Sequence, residues 1–158
     1  MDPMRLPLLL AYTLTLVAQA PPEQAVAAVL DDWHLAAAQA DEVRYFAHMA
    51  PDAVFLGTDA TERWAKPAFQ AWAHPFFARG RAWSFRATRR ALAFSADGRM
   101  AWFDEDLATP NLGPCRGSGV LSLDGGRWLL RQYNLSVPIP NALMAAVKAQ
   151  IEAHAKKP

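Results

Sequence analysis

Residues 99–137 read RMAWFDEDLATPNLGPCRGSGVLSLDGGRWLLRQYNLSV, and this stretch decides the fold. Apolar and polar residues alternate in three runs, at residues 99–107, 115–123 and 127–137. Period-two alternation bounded by Gly, Pro and Asp is typical of β-strands, and a break as short as Asp-Gly-Gly at 124–126 favours a hairpin. We therefore predict long antiparallel strands over this part of the chain.

The alternation begins just before this stretch. Trp83, Phe85 and Ala87 alternate with polar residues, and Ser-Ala-Asp-Gly at 95–98 predicts a hairpin turn into the next strand. Residues 53–57 form one further short apolar run. The chain thus predicts a short strand followed, later in the sequence, by four long ones.

Helical periodicity dominates upstream of Gly80. A first helix is predicted from an apolar stripe with helical spacing, made up of Val26, Val29, Leu30, Trp33 and Ala37. Asp41 is the expected N-cap of a short second helix that carries the apolar residues Val43, Phe46 and Ala47. A third helix is expected to start at Pro67, and Pro75 should kink it or end it early.

A last helix is expected after Asn141, with one side facing the core (Leu143, Met144, Val147 and Ile151). Helices followed by a meander of strands indicate an α+β domain. We predict a curved antiparallel sheet, shaped like a cone, with the N-terminal helices covering its concave face.

Composition limits the classes of function. The net charge of +1 gives no basic field for nucleic acid. A single cysteine, Cys115, excludes an intrachain disulfide and a cysteine-based metal cluster. None of the four histidines is spaced with another as metal ligands would be, so we expect neither a metal nor a cofactor.

Residues 1–20 resemble a secretory signal peptide, because an apolar run ends in Ala-Gln-Ala at 18–20. We expect cleavage, export to a bacterial periplasm without stable membrane insertion, and a single domain over residues 21–158. The alternative is an uncleaved membrane anchor, although the run is short for a span of about 20 residues.

Several short motifs carry a resemblance that runs from about residue 29 to residue 141. The motifs are Trp33-His34, Phe55-x-Gly57-Thr58-Asp59, Glu62-Arg63-Trp64, Ala101-Trp102-Phe103-Asp104-Glu105, Arg116-Gly117-Ser118-Gly119 and Pro140-Asn141. In these the chain resembles the SnoaL-like branch of the nuclear transport factor 2-like superfamily, within a bacterial subgroup of unassigned role. The resemblance implies a conical pocket. It implies no single reaction, since the superfamily holds isomerases, cyclases, dehydratases and association domains.

Strand parity decides which side chains should face the pocket. The odd-numbered residues are the more apolar set and are placed inside: Phe103, Glu105, Leu107, Leu121, Leu123, Leu129, Tyr133, Leu135 and Val137. A one-residue bulge would reverse the assignment for part of a strand. The even set, with Trp102 and Trp128, is then an outer face through which a homodimer is expected, because sheet-to-sheet dimers are common in the superfamily.

Glu105 is the candidate of greatest chemical interest, since a carboxylate on an apolar wall must find a partner or become protonated. Arg131 and Tyr133 share its parity, and they could form an ion pair with it or help it to transfer a proton. His34 is a second candidate base. Its alternative role is that of a core histidine bonded to a neighbouring element.

Other candidates lie near the expected mouth of the pocket. Trp64 and Trp72 would suit an apolar or ring-shaped ligand. Asp59 is either a mouth carboxylate or a turn residue bonded to its own backbone. Arg116 could bind an anionic group, whereas the arginines of the 86–99 hairpin, Arg90 included, are expected on a solvated outer face.

These observations predict a domain that binds a small apolar or ring-shaped molecule. The expected wall consists of Trp64, Trp72, Phe103, Glu105, Arg131 and Tyr133. One alternative is an isomerase, dehydratase or cyclase with Glu105 or His34 as general base and Tyr133 polarising a carbonyl. Another is a dimeric assembly domain.

Overall fold

The computed structural model describes residues 21–155. The expected signal peptide lies outside the described residues, so its cleavage and the export of the protein stay predictions. Within residues 21–155, none of the helices combines the length and the apolar character needed to cross a bilayer.

Four α-helices and six strands make up the described chain. The helices are α1 (Pro22–Ala38), α2 (Glu42–Ala47), α3 (Lys66–Ala78) and α4 (Met144–Ala155), the last preceded by a 3-10 turn at Asn141–Leu143. The strands are β1 (Met49–Leu56), β2 (Arg63–Ala65), β3 (Arg86–Phe94), β4 (Met100–Ala108), β5 (Cys115–Asp124) and β6 (Arg127–Ser136). The short edge strand β2 was not predicted.

All six strands form one sheet in the order β2-β1-β6-β5-β4-β3. Neighbouring strands are antiparallel except for β1 and β6, which are parallel. The sheet is curved and unclosed, and α1 to α3 contact its concave side. The α+β prediction, with helices over a curved sheet, is confirmed.

Helices α1 and α2 follow from their sequence signals with one exception. The buried residues Val26, Leu30 and Trp33 recur at helical spacing along α1. Asp41 caps α2 as predicted, and its carboxylate accepts a hydrogen bond of 3.0 Å from the backbone N–H of Arg44. Of the apolar residues of α2, Val43 is 83% exposed, because Tyr45 and Phe46 turn the other side of this short helix to the core.

Pro75 does not end α3, which continues to Ala78. Proline removes the hydrogen bond to the carbonyl four residues earlier, here that of Ala71. Ala71 lies on the exposed side of the helix, where water can take the place of the missing donor. Gly80 then ends the helix region with a φ of 70°.

The predicted parity holds along β4, where Phe103, Glu105 and Leu107 are buried. It fails in the first half of β6. A register shift opposite Val120 and Leu121 leaves Arg131 as an extra residue in β6, so that Trp128 and Leu130 face the core instead of Leu129 and Arg131. Beyond the bulge, Tyr133 and Leu135 are buried as expected.

Because of this bulge, the residues on the outer face of the sheet differ from the prediction. Arg131 lies there, with its guanidinium paired to Asp52 and Asp124 and its Nε donating to Ser122 Oγ at 2.7 Å. Trp128 is buried and cannot belong to an exposed dimer surface, whereas Trp102 is 50% exposed. The expected even-numbered face therefore keeps Trp102 and loses Trp128. Val137, assigned to the interior, is exposed beyond the end of β6.

Helix α4 also differs from the prediction. None of its residues is buried, and Leu143, Met144 and Ile151 are exposed while Val147 is half-buried. Pro138 and Pro140 end the pairing of β6 and direct the chain away from the sheet, so the apolar residues of α4 do not reach the core of the described chain.

Gly119 tests the close packing of β5 against β6. A Cβ atom added there would lie 2.2 Å from the backbone oxygen of Gln132. Because backbone cannot move as a side-chain tip can, we expect Gly119→Ala to lower the free energy of unfolding by about 3 kcal/mol. Urea unfolding should show this, and the neighbouring outer-face change Ser118→Ala should cost under about 0.5 kcal/mol. Equal stability of the two variants would contradict the close packing of β5 against β6.

Candidate functional site

A cavity of about 180 Å³ opens between the concave face of the sheet and helices α1 to α3. Its inner wall is buried and aromatic, formed by Trp33, Tyr45, Phe69 and Tyr133. Its exposed end is formed by Thr58, Glu62, Trp64 and Trp72. Each of the elements from α1 to α3, together with β1, β2 and β6, contributes at least one lining side chain.

Aromatic rings pack against one another along this wall. The rings of Trp33 and Tyr45 stack with centroids 4.9 Å apart, and those of Trp33 and Tyr133 meet edge-on with centroids 4.6 Å apart. Towards the exposed end, Trp64 and Trp72 stack at 5.8 Å. Ring pairs at such separations stabilise one another beyond the burial of their area. The wall is therefore held in place by its own contacts.

A buried polar centre lies directly behind the inner wall. Glu105 of β4 is fully buried and accepts a hydrogen bond of 2.6 Å from Nε2 of His34 on α1. The Nε of Arg90 donates to the other carboxylate oxygen at 2.9 Å. The hydroxyl of Tyr133 lies 3.5 Å from the oxygen that His34 binds. His34 and Tyr133 line the cavity, whereas Glu105 does not.

The prediction that Arg90 lies on a solvated outer face is wrong. Its side chain is 12% exposed, and it also pairs with Asp31 of α1 at 2.9 Å. The cause is a bulge between Ala87 and Arg89 in β3, after which the even-numbered residues point inward and Arg90 lies opposite Glu105. Arg90 thus takes the place that the sequence assigned to Arg131.

The charge of Glu105 results from two opposed influences. Burial is the larger single one and raises the pKa of the carboxyl, because it disfavours the charged form. The hydrogen bonds from His34 and Arg90 and the electrostatic attraction of these two groups together outweigh burial and hold the pKa of Glu105 below its ordinary value. Glu105 is therefore a carboxylate, fixed on both oxygens.

The two tyrosines of the inner wall are kept neutral. Burial raises the pKa of the Tyr133 hydroxyl well above its usual value, and the negative charge of Glu105 adds to the effect. Burial likewise raises the pKa of Tyr45. The Tyr45 hydroxyl has no hydrogen-bond partner within residues 21–155 and can donate to a ligand oxygen at neutral pH. The Tyr133 hydroxyl would first have to turn its proton away from Glu105, 3.5 Å away.

His34 is oriented for proton transfer by this arrangement. Because Glu105 is an ionised acceptor, the proton sits on Nε2, and Nδ1 is the ring nitrogen left to accept one. A carboxylate that fixes the tautomer of a histidine and stabilises its charged form is a recurrent device of general-base catalysis. The sequence placed His34 and Glu105 as separate candidates, and the structure joins them.

The remaining candidates fall into four groups. Trp64, Trp72 and Tyr133 line the cavity. Phe103 lies one layer behind, with its ring 6.1 Å from that of Tyr133. Asp59 accepts hydrogen bonds from the backbone and hydroxyl of Thr61, which makes it a turn residue.

Arg116 and Arg131 are away from the cavity. Arg116 is exposed on the outer face, 4.0 Å from Asp106, and Arg131 lies in the outer-face network described above. The residues of the described chain, 21–155, bring no three His, Cys, Asp or Glu side chains together as metal ligands would require.

Sequence reasoning missed Arg90 and Glu62 as site residues. Arg90 could have been found, since the predicted turn at 95–98 pairs Phe94 with Ala101 and, four steps on, Arg90 with Glu105. Glu62 had no such signal, and only the folded loop places it at the cavity mouth.

Replacement of Glu105 tests the buried pair. Glu105→Gln leaves the Arg90 charge without its buried partner, and we expect a loss of about 3 kcal/mol in the free energy of unfolding at about pH 7. The matched change Asp104→Asn, which breaks an exposed pair with Arg89, should cost under about 1 kcal/mol.

The loss should depend on pH in a defined direction. The folded-state pKa of Glu105 lies below the ordinary value of 4.5, so ionisation stabilises the fold above that pH and ceases to do so as the pH falls through the lower folded value. Urea unfolding of wild type and Glu105→Gln should converge in acid. A difference that stayed constant at low pH would contradict an ionised Glu105.

Solved structures share this architecture. A cystatin-like fold protein from Burkholderia xenovorans superposes with a TM-score of 0.62 at 17% identity, over 77% of this chain and 96% of that one. A candidate ketosteroid isomerase from Parabacteroides distasonis gives a TM-score of 0.60 at 13% identity, over 80% and 93%. A candidate calcium/calmodulin-dependent protein kinase II association domain from Xanthomonas campestris gives 0.57 at 23% identity, over 84% and 99%.

At these identities the similarity establishes the fold and leaves activity open. No curated protein matches the sequence. The sequence matches the SnoaL-like domain over residues 26–140, which is most of the chain. The curved sheet, the covering helices and this match together place the protein in the SnoaL-like domain family.

Proposed function

We propose that this domain binds a small, mostly apolar molecule containing one aromatic ring in the cavity beneath α1 to α3. The observation that carries the proposal is the wall itself, in which nine of the lining side chains are Trp, Tyr or Phe. Ligand sites are typically concave, apolar and provided with a few convergent polar groups. Here those groups are His34, Tyr133 and, at the mouth, Glu62.

The size of the cavity supports a one-ring ligand. An apolar cavity of about 150 Å³ is known to hold benzene. The present cavity of about 180 Å³ would bury one ring with a small substituent. A larger molecule would extend through the exposed end, past Trp64 and Trp72.

The polar groups of the inner wall favour a ligand that carries an oxygen atom able to accept a hydrogen bond. The indole N–H of Trp33 is buried and has no hydrogen-bond partner within residues 21–155. A buried donor without an acceptor costs about 1–3 kcal/mol. A ligand hydroxyl or carbonyl near Trp33 and Tyr133 would offset that cost.

Binding can be measured with p-cresol as a one-ring probe. We expect isothermal titration calorimetry to detect its binding, and Trp72→Ala to weaken the affinity about tenfold by removing part of the wall. Trp102→Ala removes a similarly exposed tryptophan from the outer face and should leave the affinity unchanged. If p-cresol does not bind, or if both variants behave alike, the cavity is not the binding site.

Acid–base catalysis is a second candidate function. The observation that favours it is the 2.6 Å bond that joins His34 to the ionised Glu105, with His34 facing the cavity. In this scheme His34 would remove a proton from carbon next to a ligand carbonyl, while Tyr133 donates a hydrogen bond to the carbonyl oxygen.

Deuterium exchange tests the catalytic scheme without a known substrate. Phenylacetone has one ring and acidic hydrogens beside its carbonyl, and the protein should accelerate their exchange in D2O. His34→Ala should reduce the acceleration by a factor of about 10²–10⁴. His48→Ala is the matched control, since His48 also pairs with a carboxylate, Asp32 at 2.7 Å, but outside the cavity. Exchange that survives in His34→Ala would exclude His34 as the base.

A further inference from the structure

We propose that the ligand of this cavity carries a positive charge of the substituted ammonium type, held at the exposed end by Glu62 and by the rings of Trp64 and Trp72. The inference rests on the proposed function, because it concerns the same cavity, and it names the chemical class of the ligand. Three independent observations support it.

The first observation is the position of the Glu62 carboxylate. The loop after β1 closes with a bond of 2.9 Å between the Gly57 N–H and the Glu62 carbonyl, and Glu62 Oε2 accepts from the Asp59 N–H at 3.1 Å. A Cβ atom on Gly57 would lie 2.1 Å from that same oxygen. The absence of a side chain at Gly57 is therefore what allows the carboxylate to fold back against the mouth of the cavity.

The second observation is that Glu62 has no cationic partner within residues 21–155. The carboxylates of Glu105, Asp106 and Asp124 each pair with an arginine. Glu62 is half-buried, lines the cavity, and forms no ion pair with any basic side chain of the described chain. A partly desolvated carboxylate favours a nearby cation, and a ligand could supply one.

The third observation is the character of the lining. Among the side chains that line the cavity, none is Lys or Arg, and the stacked pair Trp64 and Trp72 lines the same cavity as Glu62. Tryptophan faces attract cations, and aromatic cages bind quaternary ammonium groups in this way. A carboxylate or phosphate ligand would instead meet the negative charge of Glu62 and the negative faces of the rings.

A pair of probes with the same shape separates charge from size. Phenyltrimethylammonium and its neutral carbon isostere tert-butylbenzene both place one ring and a trimethyl group in the cavity. We expect the cation to bind about tenfold more tightly by calorimetry at low salt. Glu62→Gln, which retains an acceptor for the Asp59 N–H, should cost the cation about tenfold in affinity and leave tert-butylbenzene within about twofold.

Asp59→Asn is the matched control for long-range charge. It removes an equal charge from the same loop, at a side chain that does not line the cavity and whose oxygen can still accept from Thr61. We expect it to change the cation affinity by less than about twofold. Thermal unfolding of each variant establishes that the loop change has not unfolded the domain.

The outcomes distinguish the two proposals. If tert-butylbenzene binds as tightly as the cation, or if Glu62→Gln and Asp59→Asn act alike, the cationic ligand is excluded and the one-ring cavity stands. If neither probe binds, the proposed function fails together with this inference. Selective loss of the cation in Glu62→Gln alone supports it.

Discussion

The buried carboxylate of Glu105 is the constraint on which the rest of this structure depends. It belongs to β4, but its two oxygens are held by His34 of α1 and Arg90 of β3, and Arg90 extends to Asp31 of α1. One charge thereby ties a helix to two strands. A buried ion pair contributes little net stability compared with an apolar core, yet loss of one partner is costly. Its effect is to fix where α1 lies on the sheet, and so where His34 meets the cavity.

Two β-bulges determine which arginine lies beside Glu105. The shift in β3 turns Arg90 inward, and the shift in β6 turns Arg131 outward. Without the first bulge, pairing continued from Ala87 and Leu107 would place Arg89 opposite Glu105 in place of Arg90. Without the second, the arginine that binds Asp52 and Asp124 on the outer face would stand among Trp and Tyr rings. Bulges also increase local twist, which suits a sheet that must curve around a hollow.

The sequence predicted what depends on local pattern. The cap at Asp41, the 95–98 turn and the inward parity of β4 all follow from residue type and spacing, and all are confirmed. The sequence did not predict features that depend on the pairing register between strands. A bulge inserts one residue without a marker of its own, so the partner of Glu105 was assigned to the wrong arginine. The exposure of α4 could not be predicted for a similar reason. An apolar stripe shows that a helix can pack against another element, but it does not identify that element.

Glu62 shows why the ligand is harder to infer than the fold. In sequence it stands three residues after Asp59, a spacing common in turns, and the bond of 3.0 Å from the Glu62 N–H to the Asp59 carbonyl confirms the turn. Glu62 can lie at the mouth because Gly57 has no side chain to displace it. This places a carboxylate beside a wall that is otherwise mostly aromatic. A hydrophobic cavity discriminates between ligands by their size, whereas an unpaired charge at its edge discriminates by the sign of the ligand's charge. Under the proposed function, the loop between β1 and β2 would set the charge of the ligand, and the aromatic wall behind it would hold the rings in place.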